Sequence, residues 1–224
     1  MKYKNRSFII ISSIIACIIL YFIEQVLVMS YLVKTLSKIL FFTILPYSYI
    51  RLISQDYERN RIKPNKKDLY LGVGLGLFSF MVIIAAYAIL KDTIDLKSIA
   101  NELQTKSKVN PRNFLFVAFY ITFINSFLEE FFFRGFIFLN LYKLGFKKGA
   151  YIFSSILFSL YHIGIFKNWF NPLLIILAVS GLISVGFIFN YIDTKSKSFI
   201  NSWIVHILAD AAIMLIGLRM FNML

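Results

Sequence analysis

The sequence predicts an all-α fold, a polytopic transmembrane helix bundle of about seven spans, on three observations. Of its 224 residues 59% are hydrophobic and 16% charged, whereas soluble domains run about 45–50% apolar and about 25% charged. Uncharged runs recur at Leu69–Leu90, Gly149–Phe166 and Asn168–Ile192, close to the roughly 20 residues an α-helix needs to cross about 30 Å of hydrocarbon. The cations fall almost entirely between such runs, in Lys2–Arg6, Arg51–Lys67, Lys91–Arg112, Lys143–Lys148 and Lys195–Lys197. This pattern excludes a soluble globular enzyme, a disordered chain and a disulfide-stapled secreted domain. One cysteine, Cys17, allows neither an internal disulfide nor a cysteine-based metal cluster.

Seven candidate spans follow in order. Ser7–Leu32 is read as a retained span: Ile14-Ile15-Ala16-Cys17 has the look of a lipoprotein cleavage site, but the apolar run continues past it to Tyr21. Thr35–Ile53 is the weak candidate. Its uncharged core, Ile39–Ile50, contains Pro46, and it spans only if Lys38 and Arg51 snorkel to the two headgroup regions. In Leu69–Leu90, Gly72 and Gly76 lie one turn apart, as suits two closely approaching helices. Lys91–Arg112 is polar enough to be a surface helix or a linker. Asn113–Leu141, Gly149–Phe166, Trp169–Tyr191 and Phe199–Leu218 complete the set. Residues 1–112 form N-terminal transmembrane helices with a polar loop, residues 113–224 a helical core, and the two make one integrated membrane domain without an internal repeat.

The net charge of +13 belongs to the loops. If all seven spans cross, alternate loops hold 14 and 9 of the Lys and Arg residues, which places the N-terminus inside and the C-terminus outside. Loop cations facing anionic lipid headgroups account for the charge, so the partner is the lipid bilayer and no nucleic acid is implied.

Arg134 is the one cation left inside a span, in Leu128-Glu129-Glu130-Phe131-Phe132-Phe133-Arg134. Ionisable residues at mid-bilayer cost a few kcal/mol or more each and are functional candidates by default. Glu130 and Arg134, four apart, share a helix face and suit an ion pair. That leaves Glu129, about 100° around the helix, with no local partner and available as a base. The only histidines, His162 and His206, also lie in spans, and His206 shares a face with Asp210. At about 1.5 Å per residue, Glu129 and His162 lie roughly 18 and 20 Å deep, and His206 and Asp210 roughly 11 and 17 Å. All four can therefore meet in one layer. Phe158, one turn before His162, reads as a core residue, and Glu24 as a snorkelling or helix-pairing group.

Carboxylates and imidazoles with no Ser-His pair point to water activation rather than a covalent nucleophile. Glu129 would be the general base, His162 would orient the water or shuttle its proton, and His206 would donate to the developing oxyanion. Asp210 would orient His206, and Arg134 would hold Glu130. The same side chains are also a reasonable Zn²⁺ set, from three separate helices. Buried Glu, His and Asp chains serve proton-coupled transporters too, although those tend to show two related halves.

Glu129-Glu130-xxx-Arg134, Phe158-xxx-His162 and His206-xxx-Asp210, in this order on successive apolar segments from about Asn113 to Leu218, resemble the CPBP family. These are intramembrane proteases related to CAAX prenyl endopeptidases and to bacteriocin-processing or immunity proteins, also called the Abi family. The resemblance implies a metal-independent glutamate-type endopeptidase with no cofactor. Its catalytic residues would be Glu129, Glu130, Arg134, His162, His206 and Asp210, with Glu129 and His162 activating water and His206 with residue 210 forming the oxyanion hole. Better-understood members carry Asn at the last position, and an ionised Asp cannot donate to an oxyanion; Asp210 must be protonated or act by orienting His206. The substrate implied is a peptide or protein, hydrophobic or membrane-tethered, in maturation or in bacteriocin self-immunity. A non-catalytic immunity or binding protein that kept the site is the other reading. Lys over Arg, with abundant Ile, Phe and Asn, suits a bacterial source and hence the cytoplasmic membrane.

Overall fold

The computed structural model describes residues 2–27, 31–52 and 66–224. The basic stretch Arg51–Lys67 and the expected end of the second span at Ile53 fall largely outside them. Eight helical runs make up the described chain. They are α1 (Lys2–Gln25), α2 (Tyr31–Ile39, a π-helical turn Leu40–Ile44, then Leu45–Leu52), α3 (Lys66–Leu90), α4 (Leu96–Lys106), α5 (Phe114–Lys143), α6 (Lys147–Phe166), α7 (Pro172–Ser196) and α8 (Ile200–Met220). The molecule is a multi-pass, all-α membrane protein.

Six of these helices, α1, α3, α5, α6, α7 and α8, are long and apolar enough to cross a bilayer. Among the described residues α2, the weak candidate of the expected seven, is not one of the six, and the expected end of its span lies outside those residues. The helix forms, but Lys34, Lys38 and Arg51 dilute its apolar stretch, and the first two do not snorkel. Lys34 pairs with Glu24 of α1 at 2.8 Å, so Glu24 is a helix-pairing group. Lys38 turns inward. Phe42, one turn further on, explains this: it is fully buried and stacks on Phe132 at 4.3 Å and against Phe133 and Tyr161. Residues four apart share a helix face, so anchoring Phe42 in the aromatic core aims Lys38 the same way. The expected first span, Ser7–Leu32, is also shorter than read, since α1 ends at Gln25 and α2 begins at Tyr31.

Large apolar side chains cover the outside, among them Phe78, Met81, Ile89, Leu173 and Ile176. In water such a surface would aggregate; lipid covers it at no cost. Polar and charged side chains instead gather inside, beside the aromatic core, where Ser126, Glu129, Glu130, Arg134, Ser154, Asn190, Asp193 and Ser202 are all buried.

The polar stretch after α3 becomes the surface helix α4, started by Asp95, whose carboxylate accepts from Ser98 N at 3.0 Å. The paired glycines act as expected: α3 packs along α8, with Gly72 against Asn201 and Gly76 against Leu208. Asn171 caps α7 and Pro172 occupies its first turn. At the other end of α7, Asp193 accepts from Ser202 N and Oγ at 3.3 and 2.8 Å. A carboxylate on the amide-rich first turn of α8 is favourable, and it fixes α8 against α7.

Candidate active site

The site is built on α5. The α-helical stretch Ser126–Glu130 lies between two π-helical turns, Tyr120–Asn125 and Phe131–Phe138. Each π-turn adds a residue to the register and displaces carbonyls from the helical ladder. Those carbonyls find side-chain donors: Ser154 Oγ donates to Phe133 O at 3.0 Å, and Asn140 Nδ2 to Phe136 O at 2.7 Å.

Glu130 is held tightly. Its Oε1 accepts from Arg134 Nη1 at 3.2 Å and from His206 Nδ1 at 2.8 Å. The Arg134 guanidinium is wholly buried, 3.9 Å from the Phe158 ring centroid and 4.9 Å from that of Phe189. Aromatic faces attract a desolvated cation, and here they take the place of some hydrogen bonds. Phe158 is therefore a core residue, as read, and also a face for Arg134.

Glu129 is arranged differently on its two oxygens. Oε1 accepts from Asn125 Nδ2 at 2.8 Å, and Lys38 Nζ lies 4.0 Å from the same oxygen. Oε2 faces His162 Nε2 at 3.5 Å and His206 Nε2 at 3.9 Å. His162 Nδ1 donates to Phe158 O at 2.8 Å; a carbonyl only accepts, so a proton sits on Nδ1, and in the neutral ring it is the Nε2 lone pair that faces Glu129. His206 likewise gives its Nδ1 proton to Glu130, so it can donate through Nε2 only as the imidazolium.

All six residues singled out from the sequence come together in one buried cluster, and the layer of matching depth becomes direct contact. One assignment changes. Asp210 was expected to orient His206, but its Oδ1 lies 3.7 Å from His206 Nε2, beyond hydrogen-bond range, and its Oδ2 bonds no described residue. Glu130 orients His206 instead. Glu130 faces α8 as well as Arg134, so its Oε1 reaches His206 Nδ1 at 2.8 Å.

Three residues escaped the sequence reading. Asn125 sits one turn before Glu129, and a polar side chain at that spacing in an apolar span was the available signal. Lys38 was assigned to a headgroup. Asp193 fell just past the expected end of its span at Tyr191. Among the described residues, no three His, Cys, Asp or Glu side chains are arranged to hold a metal ion.

Residues 111–212 match the family described as type II CAAX prenyl endopeptidase Rce1-like. The match contains all six clustered residues and leaves out α1, α2, α3 and α4. No curated protein and no solved structure matches the chain.

Proposed function

We propose, taking the chain as a membrane protease of the Rce1-like CAAX endopeptidase family that its residues 111–212 match, that it hydrolyses peptide bonds with a water activated by Glu129. The observation that carries this is the division of the Glu129 carboxylate: Oε1 is occupied by Asn125, while Oε2 faces both histidines at 3.5 and 3.9 Å.

A water seated against Oε2 and the His162 Nε2 lone pair gives one proton to Oε2 as its oxygen attacks the scissile carbonyl carbon. The C=O π electrons move to oxygen. Nε2–H of imidazolium His206 and neutral Asp210 donate to that oxyanion, at a point where charge develops in the transition state. Collapse re-forms the C=O bond and breaks C–N, and the proton held by Glu129 goes to the leaving amine. One product ends in a carboxyl group and the other begins with an amine. Glu130 and Arg134 hold His206 and touch no reacting atom. Every step is written with the chain's own groups, and the enzyme so proposed is glutamate-type and works without a metal or cofactor.

A hydrophobic or membrane-tethered substrate fits the surroundings. An apolar groove of about 820 Å³ runs between α1 and α6, lined by Ile10, Ile14, Cys17, Phe153, Leu157 and Tyr161. Tyr161 precedes His162 and so joins the groove wall to the site. The setting we infer is the cytoplasmic membrane of a bacterium, in peptide or protein maturation or bacteriocin self-immunity.

The test compares cells expressing wild type and Glu129→Gln at matched protein levels, by mass spectrometry of membrane-associated and secreted peptide termini. We expect termini present with the wild type and reduced by about 10²-fold or more with Glu129→Gln. Identical peptide sets, with the biological phenotype retained by Glu129→Gln, would establish a binding or immunity protein instead.

A further inference from the structure

We infer that Lys38, through Asn125, is a positioning residue that makes Oε2 of Glu129 the base; this rests on the reading of Glu129 as the base. Lys38 lies on α2, outside the matched segment 111–212 and outside the six long apolar helices. Its Nζ donates to Asn125 Oδ1 at 3.3 Å, and Asn125 Nδ2 donates to Glu129 Oε1 at 2.8 Å.

The polarity of this relay has one solution. An ammonium only donates, so Asn125 must present its oxygen to Lys38, and its amide then points at Glu129. The carboxylate, which only accepts, demands the same orientation, and Lys38 adds its charge 4.0 Å from Oε1. With the cation in place, Oε1 is committed and Oε2 is turned to His162 and His206.

Two features hold Lys38 where it is. Phe42 locks the same helix face into the aromatic core, and the Tyr161 ring lies 5.5 Å from Nζ, within range for a cation over an aromatic face. The side chain is buried apart from about 17% of its surface. A charge in that position costs solvation, so a purely structural role would be served as well by an apolar residue of the same length. Lys34, one turn earlier, differs: it is neutralised by Glu24. A small cavity lined by Glu24, Lys34, Lys38 and Tyr161 adjoins the relay.

The test uses the full-length protein in nanodiscs, with Lys38→Met, Lys38→Arg, Asn125→Ala and the Lys38→Met/Asn125→Ala double variant. The first readout is infrared absorption of ¹³C-glutamate-labelled protein, with the Glu129 carboxylate band isolated by subtracting the Glu129→Gln spectrum. Lys38→Met and Asn125→Ala are expected to shift this band alike, and Lys38→Arg to leave it near the wild-type position. The second readout is cleavage of an internally quenched peptide bearing an S-farnesylated CAAX sequence. Here kcat should fall by about 10²-fold in Lys38→Met, as for a misplaced catalytic group, with KM within about twofold. Lys38→Arg should recover most of it, and the double variant should lose little more than either single one, as for residues in one network. An unshifted Glu129 band in Lys38→Met overturns the assignment, as does a loss confined to KM. If the wild type cleaves nothing, the protease reading fails, and the infrared band alone still decides whether Lys38 positions the carboxylate.

Discussion

Glu129 and Glu130 are neighbours of identical chemistry in surroundings that share almost nothing. Glu130 is bonded at 3.2 and 2.8 Å to two donors and lies against a guanidinium enclosed by two aromatic rings. Glu129 has one firm bond, from Asn125, and its second oxygen stands 3.5 Å or more from each histidine it faces. A carboxylate gripped on one oxygen by a buried guanidinium and an imidazole is part of the scaffold, even though Glu130 Oε2 bonds no described residue. One whose free oxygen faces two imidazoles can accept a proton and give it back. Helical geometry produces the contrast, because consecutive residues point about 100° apart: Glu130 faces α8 and Arg134, while Glu129 faces the gap between α2, α6 and α8.

The largest way to break this comparison is at the scaffold carboxylate. Arg134→Met would leave buried Glu130 with His206 as its remaining donor, and removing one partner of a buried pair costs about 3–5 kcal/mol. We expect thermal unfolding, followed by tryptophan fluorescence in detergent, to move sharply downward. Trp203 is a useful reporter, since its Nε1 donates to Ser126 Oγ at 3.1 Å and ties α8 to α5. Glu129→Gln should unfold at or near the wild-type temperature while abolishing cleavage. If both variants destabilised alike, the two carboxylates would have the same job.

The histidines sharpen the same contrast at smaller scale. His206 touches both carboxylates, so His206→Ala loses the bond to Glu130 as well as the group facing Glu129. Buried polar bonds between membrane helices are worth about 1–2 kcal/mol at most in model systems, and a stability loss of that order should accompany loss of cleavage. Among the described residues His162 hydrogen-bonds its own helix, at Phe158 O, and faces Glu129 Oε2 at 3.5 Å. His162→Ala should therefore lose cleavage with a stability change nearer the half-kcal/mol scale of an ordinary substitution.

How much of this was legible in the sequence divides along the same physical line. The apolar periods and the loop cations revealed the bundle, because the cost of burying charge in hydrocarbon leaves charges few places to go. The same cost exposed Glu129, Glu130, Arg134, His162, His206 and Asp210, each of which is anomalous in an apolar run. Lys38, Asn125 and Asp193 were hidden because each has an ordinary explanation. A lysine near a span end snorkels, a lone Asn packs, and an Asp beside lysines sits in a loop. Only the contact of Phe42 with the core, a tertiary fact, shows that Lys38 faces inward. The π-turns of α5 were equally invisible, since hydrophobic periodicity assumes a constant 3.6-residue turn.

The smallest expected effects separate the helices that back each carboxylate. Gly186 of α7 lies so close to α6 that an added Cβ would stand 2.9 Å from Ser155 Cα, where backbone must move. Overpacking of this kind typically costs about 1–3 kcal/mol. Its consequence should fall on the scaffold side, because Phe189 beneath Arg134 is carried by the same stretch of α7. At Gly76 of α3 the added Cβ would meet Leu208 Cδ1 at 2.5 Å, the free end of a flexible side chain. A change of rotamer there costs about 0.5–1.5 kcal/mol. Leu208 lies between His206 and Asp210 on α8, so any displacement that Leu208 does not absorb passes to the site. We expect Gly76→Ala to keep wild-type stability within about that rotamer cost and to slow cleavage less than Gly186→Ala does. The opposite order would mean that α8 is held in place chiefly by α3, and that the bonds from Glu130 and Asp193 follow its position rather than set it.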